Sequence, residues 1–141
     1  MLFAFQRALI HVFRRACENN HERLVWVILS LRFHRPIYRF DLNKRDEWGD
    51  SPLMKAVVKK HFNIVEILLN CGVDPNIRNN RNYSPLMIAA FNENLEIVEL
   101  LMARGADVGF RSYDGTTAEE FANWSGNHDI AKMVRLVPEL N

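Results

Sequence analysis

The chain has 141 residues, with 18 Lys/Arg against 17 Asp/Glu and 48% hydrophobic residues. That length suits one compact domain or a short solenoid, which buries roughly 68% of the surface exposed by the unfolded chain. No apolar run reaches transmembrane length, and the two cysteines, Cys17 and Cys71, form no metal or redox spacing, which points to a reducing compartment.

Charge is unevenly placed. Residues 1–45 carry nine Lys/Arg against three Asp/Glu, and residues 46–141 carry nine against fourteen, so one end is basic and the remainder acidic. Residues 1–15 are apolar and basic. Phe5, Leu9, Val12, Phe13 and Ala16 fall on one helical stripe, with Arg7, His11, Arg14, Arg15 and Glu18 opposite. A mitochondrial presequence or a helix lying on a membrane has this character. The stripe runs unbroken into Ala16–Val25, however, which favours a capping helix in a degenerate first repeat, because terminal repeats are atypical.

Val25-Trp26-Val27-Ile28-Leu29 reads as the second helix of that repeat. Asp41-Leu42-Asn43 then aligns with Asp74-Pro75-Asn76 at a spacing of 33, yet the helical part before it is displaced by seven residues. The extra residues form a loop insertion at 31–40, where Arg32, Arg35 and Arg39 interleave with Phe33, Tyr38 and Phe40. Such a loop can contact nucleic acid. The expectation is instead that it covers an open end of the core with its aromatics tucked in, and Pro36 argues against a longer helix.

Self-similarity then dominates. Ser51-Pro52-Leu53-Met54-Lys55-Ala56-Val57 returns 33 residues later as Ser84-Pro85-Leu86-Met87-Ile88-Ala89-Ala90, and more weakly as Thr117-Ala118-Glu119-Glu120-Phe121-Ala122. Each Ser or Thr can cap a helix, and Pro52 and Pro85 follow at the first helical position. A second helix carries Ile64, Val65, Ile67, Leu68 and Leu69, then Ile97, Val98, Leu100, Leu101 and Met102, and ends at Cys71-Gly72 or Arg104-Gly105. Glu119 and Glu120 give the last copy a wetter face. Asn127-His128-Asp129 opens its final helix, and Pro138 closes it. One such unit cannot bury its apolar face alone, so neighbours must stack. The reading is one domain of four units: 1–45 as N-terminal cap, 46–78, 79–111, and 112–141 as C-terminal cap.

The pattern resembles the ankyrin repeat over about residues 16–137: a capped Thr/Ser-Pro-Leu helix, an Ile-Val-x-x-Leu-Leu helix, a Gly-Ala-Asp-like turn and a hairpin finger. The resemblance implies an all-α ankyrin-repeat solenoid of stacked helix-turn-helix units with hairpin or loop fingers. The family's histidine after Pro-Leu is replaced by Met54, Met87 and Glu120, which removes hydrogen bonds that would stiffen adjacent loops.

No nucleophile, phosphate-cradling loop or metal-ligand cluster appears, so neither enzyme activity, a cofactor nor a small-molecule substrate is expected. The five histidines are scattered, with His21, His61 and His128 near turns between paired helices. The resemblance implies a non-catalytic adaptor or scaffold that binds another protein through a concave surface. It implies a monomer, in the cytoplasm or nucleus, with no role for nucleic acid or membrane. An inhibitor occluding a partner's active or recognition surface is the alternative, and an adaptor directed to a membrane or mitochondrion by residues 1–15 is a third reading. Carried over position by position, the binding residues are Trp48, Asp50, Val58, Arg81, Tyr83, Phe91, Tyr113, Asp114 and Trp124, flanked by Glu47, Lys59, Asn80, Asn92, Thr116 and Ser125. Five aromatics there are what a binding hot spot uses. Glu47, Asp50 and Asp114 suggest a partner carrying Lys or Arg beside an apolar anchor. Asn76, eight residues after Leu68 and two after Asp74, also resembles the ankyrin asparagines that a cytosolic oxygen-dependent hydroxylase modifies, although Pro75 replaces the usual aliphatic residue.

Overall fold

The hydroxyl caps set the frame. Ser51 Oγ accepts from the Met54 N–H at 3.3 Å, and Ser84 Oγ accepts from the Met87 N–H at the same distance. Thr117 and Glu120 form a reciprocal box, with Thr117 Oγ1 accepting from the Glu120 N–H at 3.3 Å and Glu120 Oε2 accepting from the Thr117 N–H at 2.8 Å. The structure, a computed structural model, describes residues 2–34 and 40–135, with side chains from Ala4 onward. Among them run α1 (Leu2–Glu18), α2 (Glu22–His34), α3 (Pro52–Val58), α4 (Phe62–Asn70), α5 (Pro85–Phe91), α6 (Leu95–Ala103), α7 (Ala118–Trp124) and α8 (His128–Arg135). No strand occurs among the described residues.

The helices pair as α1–α2, α3–α4, α5–α6 and α7–α8. The first members stack in a row, α1 on α3 on α5 on α7, with α2, α4 and α6 behind them. The core lies between the rows, where Phe13, Leu53, Leu68, Leu86, Leu101 and Ile130 are fully buried. Cys17 belongs to it, and burial pushes its thiol up to about 12. Cys71 caps α4 and is half-buried, and both thiols are free.

The first unit departs from the sequence reading in two places. Leu31–His34 continue α2 instead of opening a loop. The internal units stop at Gly72 (φ +79°) and Gly105 (φ +84°). Arg32 stands at the aligned position, 40 residues before Gly72, so α2 lacks a left-handed stop there and continues to His34. Residues 35–39, including Arg35, Tyr38 and Arg39, lie outside the described residues, as does Pro138. Phe40 is tucked in as expected, edge-on to Phe13 with centroids 5.3 Å apart, while Phe33 is exposed. The second departure is in α1. Its buried face is Ile10, Phe13, Ala16 and Cys17, whereas Phe5 and Val12 are exposed. The neighbours α2 and α3 select which flank is covered, and periodicity alone placed the stripe's centre too near Phe5 and Val12.

The turn between paired helices places Asn20, Lys60, Glu93 and Gly126 at positive φ, from +57° to +86°. Left-handed backbone costs a side-chain-bearing residue about 1–2 kcal/mol, partly offset by glycine's larger unfolded-state entropy. Glu93→Gly is therefore expected to raise stability by about 0.5–1 kcal/mol in urea melts.

Candidate protein-binding surface

Three loops project between the helix pairs. Each is closed by a backbone bond across five residues: Asp46 N–H to Asp50 O at 3.0 Å, Asn79 N–H to Tyr83 O at 3.1 Å, and Ser112 N–H to Thr116 O at 2.9 Å. The opening residue organises each loop. Asp46 Oδ1 accepts from the N–H groups of Trp48 and Asp50, and Asn79 Oδ1 accepts from those of Arg81 and Tyr83. Ser112 Oγ accepts from the Thr116 N–H and donates to Asp114.

Neighbouring loops are joined without the missing histidine. The Asn80 N–H donates to Trp48 O at 3.1 Å, and its Nδ2 donates to Glu47 O at 2.9 Å. Asn79 Nδ2 donates to Asp50 Oδ1 at 3.0 Å, and Asn82 Nδ2 donates to Arg111 O at 2.6 Å. Gly49 allows the closest approach, because a Cβ there would sit 2.5 Å from the Asn80 nitrogen. Asparagines thus supply the loop-to-loop bonds that the sequence appeared to lack.

The turns on the opposite side use the same device. Asn76 Oδ1 accepts from the Asp107 N–H at 2.8 Å, and its Nδ2 donates to Gly105 O at 2.9 Å. Asn43 Oδ1 accepts from the Asp74 N–H at 3.0 Å, one unit earlier. Asn76 is a staple between units.

Between the loops and the first-row helices lies a groove whose residues recur every 33 positions. Asp50, Tyr83 and Thr116 form its loop side, Lys55, Ile88 and Phe121 its floor, and Val58, Phe91 and Trp124 its far rim. The rim side chains are exposed, Phe91 at 54% and Trp124 at 65%. The two halves differ. At the first loop, Lys55 Nζ bridges Asp46 (3.0 Å) and Asp50 (3.2 Å) and lies 5.1 Å from the centre of the Trp48 ring. Further along, Phe121 is the hub of an aromatic cluster, with Tyr83, Phe91 and Trp124 edge-on at 5.3, 5.9 and 5.5 Å. Beside the hub opens a cleft of about 260 Å³ lined by Arg81, Tyr83, Met87, Ile88, Phe91 and Phe121.

The structure therefore brings Arg81, Tyr83 and Phe91 together at one cleft, with Trp124 on the same hub and Tyr113 and Asp114 beside Arg81 and Tyr83. Trp48, Asp50 and Val58 lie along the ionic half. Trp48 and Trp124 are both exposed and not packed beneath a terminal unit. Tyr83 is half-buried against Phe121, so its truncation will also disturb packing. Lys55, Ile88 and Phe121 were missed as groove residues, although their spacing of 33 marks them as one row.

Two of the three flanking acids are already engaged. Asp50 is paired with Lys55, and Asp114 accepts from the hydroxyls of Ser112 and Thr116, which hold its carboxyl below the usual range. Arg81 is exposed at the cleft with its guanidinium unpaired. Arg81 is thus the cation at the apolar cleft, and Asp114, whose neutral hydroxyl donors leave its negative charge in place, stands beside Arg81 and Tyr83.

Asp46 carries a pH dependence. Burial pushes its carboxyl up, but bonds from Lys55 and the N–H groups of Asp50 and Trp48 outweigh that and hold it below its ordinary value. A depressed carboxylate contributes stability above its unfolded pKa and loses it as pH falls through the folded value. Urea melts should show wild-type stability falling below about pH 4, a slope that Asp46→Asn should lessen.

Stacked helix pairs carrying a row of linked loops beside an apolar groove define a helical-repeat solenoid. The sequence model described as ankyrin repeats (3 copies) matches residues 13–112 and 71–137, and the chain belongs to that family. Ankyrin repeats are generally protein–protein interaction modules, typically non-catalytic. A comparison with curated proteins finds no match. Among the described residues no cluster of three His, Cys, Asp or Glu could hold a metal, and no helix is long and apolar enough to cross a membrane.

Proposed function

We propose that the chain is a non-catalytic adaptor that holds a segment of another protein in the groove. The segment sets a large apolar side chain into the cleft of Tyr83, Phe91 and Phe121 and directs a carboxylate toward Arg81. The observation that carries this reading is an open aromatic cleft with an unpaired guanidinium beside it. Aromatic anchors bury large area with few rotors to freeze, and the linked loops hold the site in place before binding. Inhibition by occlusion would use the same contact. The two free thiols support a reducing compartment such as the cytoplasm. The burial of Phe13 and Cys17 supports α1 as part of the first unit and not a targeting segment.

The test is selection of binding peptides from a random library on the immobilised full chain, with Phe91→Ala as counter-target. Peptides pairing an aromatic or large aliphatic residue with Asp or Glu should be enriched on the wild type alone. Equal recovery on both chains, or enrichment of Lys and Arg, contradicts the reading. Asn76 remains the modification candidate under the same proposal. Peptide mass spectrometry that finds it only unmodified in cells with active hydroxylase removes that part.

A further inference from the structure

The two ends of the stack are finished differently. Ile64, Ile97 and Ile130 occupy one aligned position in α4, α6 and α8, and all are 0% exposed. The last unit has a neighbour before it and none after it among the described residues, so the preceding unit is what covers this position. Leu24, 40 residues before Ile64, is the same position in α2 and is exposed. Val27, aligned with Ile67, is 54% exposed where Ile67 is buried, and Val12, aligned with buried Pro52, is 45% exposed. Leu31 lies one turn beyond Val27 and is exposed as well. The first unit thus presents, exposed, positions that the later units bury at Ile64, Ile97 and Ile130 and at Pro52, Pro85 and Ala118, and bury or half-bury at Ile67, Leu100 and Met133.

The other end is closed by charge. Glu119 stands where Leu53 and Leu86 are buried, and Arg135 stands where Leu69 is buried and Met102 half-buried. The two form an ion pair. A polar outer face is what a terminal unit needs for solubility. α2 lacks one: Trp26 and Phe33 are exposed on its other flank, making the helix apolar nearly all round, a pattern that belongs to a buried helix.

We infer that the α1–α2 end is a docking surface for the apolar trailing face of another ankyrin-type repeat unit, carried by a partner chain and ringed with carboxylates. The occupant's shape follows from the same interface made three times within the chain. Its charge follows from the rim. Arg15 lies one turn from Val12 and Arg23 one turn from Val27, both exposed and without an ion pair. A second copy of this chain does not fit. Head to head, the arginine rims oppose each other, and head to tail, the Glu119–Arg135 pair replaces the required leucines.

The test gives the chain the missing face. The full-length double variant Glu119→Leu/Arg135→Leu presents an internal-type trailing face and should form concentration-dependent head-to-tail oligomers in sedimentation velocity, where wild type remains monomeric. Adding Val27→Glu should return it to monomer. Three results would overturn the inference: the double variant stays monomeric, its oligomers survive Val27→Glu, or wild type self-associates and loses that with Val27→Glu. Val27→Glu alone should melt within about 2 °C of wild type, as a surface change. A drop of more than about 5 °C would mean the chain covers this face itself, which also overturns it.

Discussion

Leu68→Ala is expected to destabilise the fold by about 2–5 kcal/mol in urea melts. Leu68 is fully buried at the middle of the stack, so truncation leaves a void bounded by two units that cannot both collapse into it. Glu119→Ala should cost less than about 0.5 kcal/mol, because its pair with Arg135 is exposed and such pairs contribute little. The contrast reports on register. Equal losses at the two positions would mean that the units are not stacked as described.

The second large effect is on binding. Phe91→Ala should weaken a groove-selected peptide by at least about 30-fold, the ~2 kcal/mol that marks a hot spot. Phe91 is half exposed in the free chain, so its truncation should shift the melting temperature by only a few degrees. Tyr83→Ala should lower both affinity and stability, since the ring packs edge-on against Phe121 beside the core. A Phe91→Ala chain that binds normally at unchanged stability would place the peptide elsewhere.

Much of the architecture was legible because it is written in local chemistry. Ser51, Ser84 and Thr117 signal helix starts through hydroxyl caps, and Gly72 and Gly105 signal stops through left-handed backbone. The first unit was less legible. Nothing local says that α2 passes Leu31 except the lack of glycine at Arg32, and the buried flank of α1 depends on which neighbour arrives beside it. The groove divides the same way. Exposure of Trp48, Phe91, Tyr113 and Trp124 follows from repeat position. The ion pair of Asp50 and the hydroxyl bonds to Asp114 depend on where Lys55, Ser112 and Thr116 point, which spacing does not encode. Loop stiffness was also unpredicted, because Asn79, Asn80 and Asn82 do through their amides what the family's histidine would have done.

The central claim is that a partner segment sits between the loops and the first-row helices at the second and third loops. Amide hydrogen exchange of the full chain, with and without a selected peptide, tests it most directly. The account predicts slowed exchange on binding at residues 79–83 and 112–116 and through the first turns of α5 and α7, with α2 and α4 unchanged. Protection confined to α2, or to none of the loop residues, would contradict it.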